Sequence, residues 1–323
     1  MIGNWVGICT LFDIYDRFDL NYTNESGFTH FHAACVANCE QVTKFLELGY
    51  DPNLLVEKSG DSPLHVAVAN NSIGVAELLL RRGSEPNLAN AKGRTPLHIF
   101  CKNAFHPDDV ETFFATIDDI QQTLQLDART KRGDTPLHLA THYNDYAFEP
   151  LVRRGADPNL ANENGLTPLH VICSNRWNLH EEVKILFEIS HSKYQPLRVD
   201  ARDKLGRTPL QLDVTSLSPD VIDVLLDNDA DLSSFVFPTE NDFDERWTSG
   251  DAMLNFKLRL ASGMLACVER LEKRGYELDR GDDALTIMKL FVKHGSFDEL
   301  SANLDDDHWY TTTRASSRKR KKS

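Results

Sequence analysis

No apolar run in this 323-residue chain approaches the roughly 20 residues needed to cross a bilayer, so the sequence offers no membrane span. It has no glycine-rich phosphate loop, and no nucleophile, base and oxyanion donor fall at a spacing that suggests catalysis. Enzyme classes drop out, and no cofactor or metal is expected. A secretory leader is also missing. The first residues are apolar in patches from Ile2 to Ile14, but they lack a basic flank and Asp13 and Asp16 interrupt them, which reads as a capping helix. Cations are in deficit, with 35 Lys and Arg against 49 Asp and Glu and a net charge of −14. Phosphate binding needs clustered Lys and Arg, so nucleic acid is disfavoured as the main ligand. These absences leave an intracellular protein of the cytoplasm, the nucleus or both.

What the chain has in abundance is repetition. Six related strings begin at Thr29 (THFHAA), Ser62 (SPLHVA), Thr95 (TPLHIF), Thr135 (TPLHLA), Thr167 (TPLHVI) and Thr208 (TPLQLD), at intervals of 33, 33, 40, 32 and 41 residues. Each reads as a helix start, because Thr or Ser caps the first turn and Pro pre-sets its backbone angle. A second apolar helical stretch follows 16 to 18 residues later, at Phe45-Leu46, Leu78-Leu79-Leu80, Leu151-Val152 and Leu225-Leu226. Gly49, Gly83, Gly155 and Asn228 then suit a left-handed stop. Asp51-Pro52-Asn53, Glu85-Pro86-Asn87 or Asp157-Pro158-Asn159 and a Gly-containing turn lead back to the next Thr, so the unit is helix, helix, β-turn finger. This signature at a period near 33 resembles the ankyrin repeat. The resemblance implies an all-α ankyrin-repeat solenoid of about six clear repeats plus one or two degenerate capping repeats, with a concave face for binding.

The expected organisation is an N-terminal cap at 1–23, repeats 1 to 6 at 24–232, a degenerate helical C-terminal cap at 233–310 and a disordered basic tail at 311–323. From Ser62 onward a longer period of 72 to 73 residues separates alternate strings, and PNLANAKGRTPLHIFCKN from Pro86 matches PNLANENGLTPLHVICSN from Pro158. The unit of duplication is a pair of repeats. Repeats three and five are the long members, and their extra residues fall after the second helix, around Ile120-Gln121-Gln122-Thr123 and from Ser190 to Pro196. Within the C-terminal region, Leu254, Leu258, Leu265, Val268 and Leu271, then Leu285, Met288, Phe291 and Val292, continue a helical pattern.

Cys35, Cys101 and Cys173 each lie six residues after their repeat's Thr. One structural address repeated three times points to reduced core thiols. Cys39 lies one helical turn after Cys35, near His30 and His32, a spacing that also admits zinc. His32 belongs to the series His32, His65, His98, His138 and His170, however, and that series reads as structural hydrogen bonding between repeats. Gln211 replaces the His in the sixth string.

Charge is uneven. Six cations and no acid lie beyond residue 310, so with −14 overall the first 310 residues carry −20. Against that background three finger tips are mostly basic: Lys92 and Arg94, then Arg129, Lys131 and Arg132, then Arg202, Lys204 and Arg207. These residues make a candidate binding face for a protein partner with an acidic patch, and Arg94, Arg132 and Arg207 would steer it. Tyr143 and Trp177, each just beyond a first helix, are candidate buried anchors. In the tail, Arg318, Lys319, Arg320, Lys321 and Lys322 read as a nuclear-import signal, with Arg314 three residues before Ser317 suiting a basophilic kinase.

Three strings extend the resemblance: GFTHFHAA from Gly27, PDVIDVLLDNDADLSSFVFP from Pro219, and RLASGMLACVERLEKRGYELDR followed by DDALTIMKLFVKHGSF. They are similar to an expanded family of ankyrin proteins from parasitoid wasps, over nearly the whole chain up to about Tyr310. Many such relatives continue into a poxvirus-type F-box-like module that docks onto the cullin ubiquitin-ligase adaptor. Here His308-Trp309-Tyr310 is followed instead by TTTRASSRKRKKS. Two functions follow from the resemblance: a stand-alone binder that sequesters or competes for a partner protein, or the substrate-receptor arm, or shortened competitor, of a cullin-type ubiquitin ligase.

Overall fold

The computed structural model describes residues 7, 9, 10, 12, 14, 18, 20, 22–103, 106–143, 146–175, 179–193, 196–244, 253–279 and 281–293. Trp177, Arg314, Ser317, the cations Arg318 to Lys322 and the side chains of Tyr143, Leu254, Leu258 and Val292 lie outside that description. The chain divides into two units, residues 1–209 and 210–323. Among the described residues there are fifteen helices and no sheet, only an isolated bridge between Thr23 and Thr29.

The repeated strings open helices by a cap chemistry that uses the histidine. Thr29, Ser62 and Thr167 sit in extended backbone just before a helix. Their side-chain oxygens accept from the backbone N–H of His32, His65 and His170, while the cap residue's own N–H donates to the imidazole. This is a capping box with His in the place usually taken by Glu or Gln. In the first unit the helices are α1 (His30–Val36), α2 (Val42–Glu47), α3 (Pro63–Ala69), α4 (Ile73–Arg81), α5 (Pro96–Asn103), α6 (Pro107–Asp119), α7 (Pro136–Tyr143), α8 (Phe148–Arg154), α9 (Pro168–Cys173) and α10 (His180–Lys193). The first helices pack in succession, α1 on α3, α3 on α5, α5 on α7 and α7 on α9, while α4 packs on α6 and α8 on α10.

The leucine of each signature, Leu64, Leu97, Leu137 and Leu169, is buried, and each such side chain contributes about 1.5–3 kcal/mol. The address six residues after the cap is equally buried whatever its chemistry, with Cys35, Val68, Cys101, Thr141 and Cys173 filling it in turn. Cys35, Cys101 and Cys173 are free thiols, and burial pushes the Cys35 thiol well above its ordinary range. Cys39 bonds to Cys9 of the N-terminal segment as a disulfide. Among the described residues no group of His, Cys, Asp and Glu could hold a metal ion.

Two local expectations need correction. Ile120 to Thr123 follow α6 as expected, but most of the extra length of repeats three and five goes into their second helices. α6 has 13 residues and α10 has 14, against 9 in α4, and Ser190 lies inside α10, where its helical bonding continues to Lys193. The left-handed stop after the sixth repeat's second helix is Asp229, with φ of 65°. Asn228 keeps a negative φ and instead closes the helix by donating its side-chain amide to the Val224 carbonyl at 2.8 Å.

The second unit contains α11 (Pro209–Ser216), α12 (Pro219–Asp227), α13 (Glu240–Asp244), α14 (Met253–Lys273) and α15 (Asp282–Lys293). α12 packs on α14, and α15 packs on both α13 and α14. Arg270 pairs with Asp220 and Asp223, and Arg274 with Asp227 at 2.6 Å, so α14 is joined to α12 by charge as well as by apolar packing. Gln211 donates to the Val236 carbonyl at 2.9 Å. Its amide N–H thus stands in for the imidazole N–H of the earlier repeats.

Candidate functional site

Each finger is a tight turn whose shape follows from a glycine and a small polar residue. In the third finger the Asn90 side chain accepts from the backbone N–H of Lys92 and Arg94 at 2.9 and 3.0 Å, folding the turn over itself. Gly93 then takes φ of 71°, a region that costs an L side chain. Its missing side chain also matters, since a Cβ there would lie 2.9 Å from the Lys131 nitrogen of the next finger. That close approach lets successive tips bond through the main chain: Lys58 N–H to Ser26 C=O, Ala91 to Ser59, Lys131 to Lys92, Glu163 to Arg132 and Lys204 to Asn164, at 2.9 to 3.2 Å.

Under the fingers the histidines tie one repeat to the next. Nε2 of His32, His65, His98, His138 and His170 lies 2.9 to 3.2 Å from the carbonyls of Leu54, Arg94, Asp134, Leu166 and Arg207 respectively. Each Nδ1 accepts from the backbone N–H of the cap residue, so the ring is neutral and carries its proton on Nε2. Burial lowers the pKa of all five, His98 to about 4. Committed at both nitrogens, these histidines are linkers rather than acid–base groups.

A cleft of about 540 Å³ opens at the third and fourth fingers, lined by Lys92, Arg94, Thr130, Lys131, Arg132, Asp134, His138, Leu139 and Val171. It brings together four of the ten residues expected on the binding face. Lys92, Lys131 and Arg132 are exposed and Arg94 is half-buried, and none of the four side chains has an ion-pair partner among the described residues. The others are placed differently. Arg129 donates to the Ala161 carbonyl at 2.8 Å and Arg202 to the Gly206 carbonyl of its own finger at 2.8 Å. Arg207 is held by Asp203, with its Nε 2.9 Å from one oxygen of a buried carboxylate. Lys204 is exposed beside Leu205, which is 70% accessible. Tyr143 ends α7, and Trp177 is outside the described residues.

Sequence reasoning missed Leu139 and Val171, the apolar part of the lining. Their signal was present, since each follows the His of its signature. That position carries an aliphatic residue in several repeats and is only half-buried here.

On the second-helix side Arg81 and Arg154 are paired across repeats. Arg81 meets Asp119 at 3.0 Å and Glu77 at 3.0 Å. Arg154 grips both oxygens of Asp118 at 2.8 and 2.6 Å and lies over the Phe114 ring, 4.5 Å from its centre. Among the described residues no helix is long and apolar enough to cross a membrane.

Comparison with known proteins bears on this architecture. A sequence profile described as ankyrin repeats matches in three copies, over residues 6–90, 64–162 and 137–235. The human transient receptor potential cation channel subfamily A member 1 is 29% identical over 174 residues, which are 54% of this chain and 15% of the channel. Mouse NF-kappa-B inhibitor alpha is 40% identical over 100 residues, 30% of this chain and 31% of the inhibitor. The chain thus spans less than a third of the length of either relative. Among solved structures, the ankyrin repeat domain of Bcl-3, described as a unique member of the IkappaB protein family, aligns with a TM-score of 0.52 and 26% identity. That alignment covers 65% of this chain and 90% of the Bcl-3 chain.

Proposed function

The chain belongs to the ankyrin-repeat family, and from that premise we propose that it is a non-catalytic, intracellular protein-binding module. It receives a partner protein on its concave finger and inner-helix face and sequesters or competes for it. One observation carries the reading: four neighbouring cations, Lys92, Arg94, Lys131 and Arg132, stand around one cleft without a carboxylate partner among the described residues, in a chain of net charge −14. A partner with an acidic patch supplies the missing countercharge. Lys204 extends the same sign along the fingers, and Arg129, Arg202 and Arg207 hold turn and finger geometry around it. Similarity to NF-kappa-B inhibitor alpha supports the masking of a partner. Within the family we place the chain beside the ankyrin proteins of parasitoid wasps on the strength of the three strings quoted above. The five consecutive cations from Arg318 are proposed to direct nuclear import.

The test is affinity capture from nuclear and cytoplasmic extracts with wild type and an Arg94→Glu/Arg132→Glu double variant, both first shown to melt alike. Proteins held by wild type and lost by the double variant are the expected result. Identical catches would remove the basic fingers from the site, and the cullin adaptor among the finger-dependent proteins would turn the reading towards a ligase receptor.

A further inference from the structure

The cleft at the third and fourth fingers combines two chemistries within one small volume, and that combination bears on what enters it. The cationic side has four charges that no described residue of the chain pairs. Arg81, Arg153, Arg154, Arg207, Arg270 and Arg274 each have a carboxylate within ion-pair distance, whereas Lys92, Arg94, Lys131 and Arg132 have none among the described residues. The one acid in the lining, Asp134, already accepts from the Asn162 side chain at 2.7 Å. It serves the link to the next finger. The apolar side comes from Leu139 on α7 and Val171 on α9, both half-buried. His138 between them lends its ring and no charge, because both its nitrogens are engaged.

We propose that this cleft takes an acidic side chain together with an aliphatic side chain two residues away, on the same face of one extended segment of the partner. The carboxylate sits among Lys92, Arg94, Lys131 and Arg132, and the aliphatic group sits on Leu139 and Val171. The inference rests on the protein-binding reading and narrows it to a peptide chemistry. About 540 Å³ is near the lower end for a ligand pocket, room for a few side chains and not for a folded surface. A carboxylate alone on exposed cations gains little, because water and salt screen it. An aliphatic neighbour on Leu139 and Val171 excludes water beside the ion pairs, and charge-assisted hydrogen bonds strengthen as the surroundings dry. The two halves of the cleft therefore work as one site, and neither half alone should bind well.

Fluorescence anisotropy with the full chain tests this. The probe is a fluorescein-labelled octapeptide of repeated Glu-Ser-Leu-Ser, which in extended form carries Glu and Leu on one face, compared with one in which Gly replaces Leu and one in which Lys replaces Glu. The expected result is at least tenfold tighter binding of the Glu/Leu peptide than of either companion. The same loss is expected for Arg94→Glu/Arg132→Glu and for Leu139→Asn, with Val171→Thr as the gentler variant should Leu139→Asn fail to fold. Equal binding of the Glu/Gly peptide would reduce the site to charge alone and overturn the proposal, as would Glu/Leu binding that survives both sets of variants. Should no peptide bind while the capture experiment still yields finger-dependent proteins, the peptide chemistry is wrong and the broader reading stands.

Discussion

The finger edge of the first unit and its second-helix edge are both held across repeat boundaries, but by different kinds of bond. Along the fingers the links are neutral and directional: main-chain N–H to C=O between tips, and imidazole to carbonyl beneath them. Along the second helices they are ionic, Arg81 to Asp119 and Arg154 to Asp118. The contrast explains why charge is available for a ligand on one edge and not on the other. Where cohesion is carried by the backbone and by uncharged rings, Lys92, Arg94, Lys131 and Arg132 are left for binding. Where cohesion is carried by arginine, Arg81 and Arg154 are already satisfied.

Acid should break this contrast most strongly, and from the finger side. In the unfolded chain the five histidines take up protons near pH 6.5, while in the folded chain burial holds all five below that value and His98 down to about 4. The unfolded state therefore binds more protons throughout that window. Stability contributed by these rings is complete above pH 6.5 and falls as pH drops towards 4, by up to ~3 kcal/mol for His98 alone. The Asp118 carboxylate, held below its ordinary range by the Arg154 guanidinium, keeps its charge over the same interval. Hydrogen exchange at pH 7 and 5, corrected for intrinsic rates, should show the amides of Lys131, Glu163 and Lys204 losing protection before those of α6 and α8. Urea midpoints that stay flat between pH 6.5 and 4.5, or a slope unchanged in His98→Gln, would rule out the neutral imidazole as the link.

The backbone links themselves can be broken one at a time. Gly133 and Gly206 both have φ of 76°, so alanine at either carries the cost of a left-handed backbone, about 1 kcal/mol. At Gly133 the new Cβ would also lie 2.8 Å from the Glu163 nitrogen, whereas at Gly206 no described atom lies within 4 Å. We expect Gly133→Ala to cost about 2–4 kcal/mol and Gly206→Ala about 1 kcal/mol by urea denaturation. Equal losses would mean that the close approach of the fingers contributes nothing beyond backbone strain.

How much of this was legible in the sequence depends on the range of the interaction. The caps, the leucine address and the linking histidines recur at fixed offsets from one Thr, so each could be read locally and checked against the next copy. The employment of each arginine could not be read that way. Arg94 and Arg207 both precede a cap Thr and look alike, yet Asn90 leaves Arg94 without an ion pair while Asp203 four residues before Arg207 holds it at 2.8 Å. That pair is visible once the turn is known to bring the first and fifth residues together. Arg154 meets Asp118 across 36 residues, and the disulfide joins Cys9 to Cys39. Both depend on how neighbouring segments stack, which composition and spacing do not encode.

The smallest expected effect separates the two edges most cleanly. Arg154→Ala removes a two-point pair with Asp118 and a cation over Phe114 from a side chain that is one-third exposed, and it should cost about 1 kcal/mol after allowance for solvent screening. Arg132→Ala removes a cation with no ion-pair partner among the described residues and should change stability by less than about 0.5 kcal/mol, while weakening partner capture. Raising the salt to about 0.5 M should narrow the gap between Arg154→Ala and wild type, because the Debye length then falls to roughly 4 Å. It should leave Arg132→Ala where it was in stability and weaken partner binding by wild type. A measurable stability loss in Arg132→Ala would show that the finger cations serve the fold after all, and the division between cohesion on one edge and recognition on the other would fail.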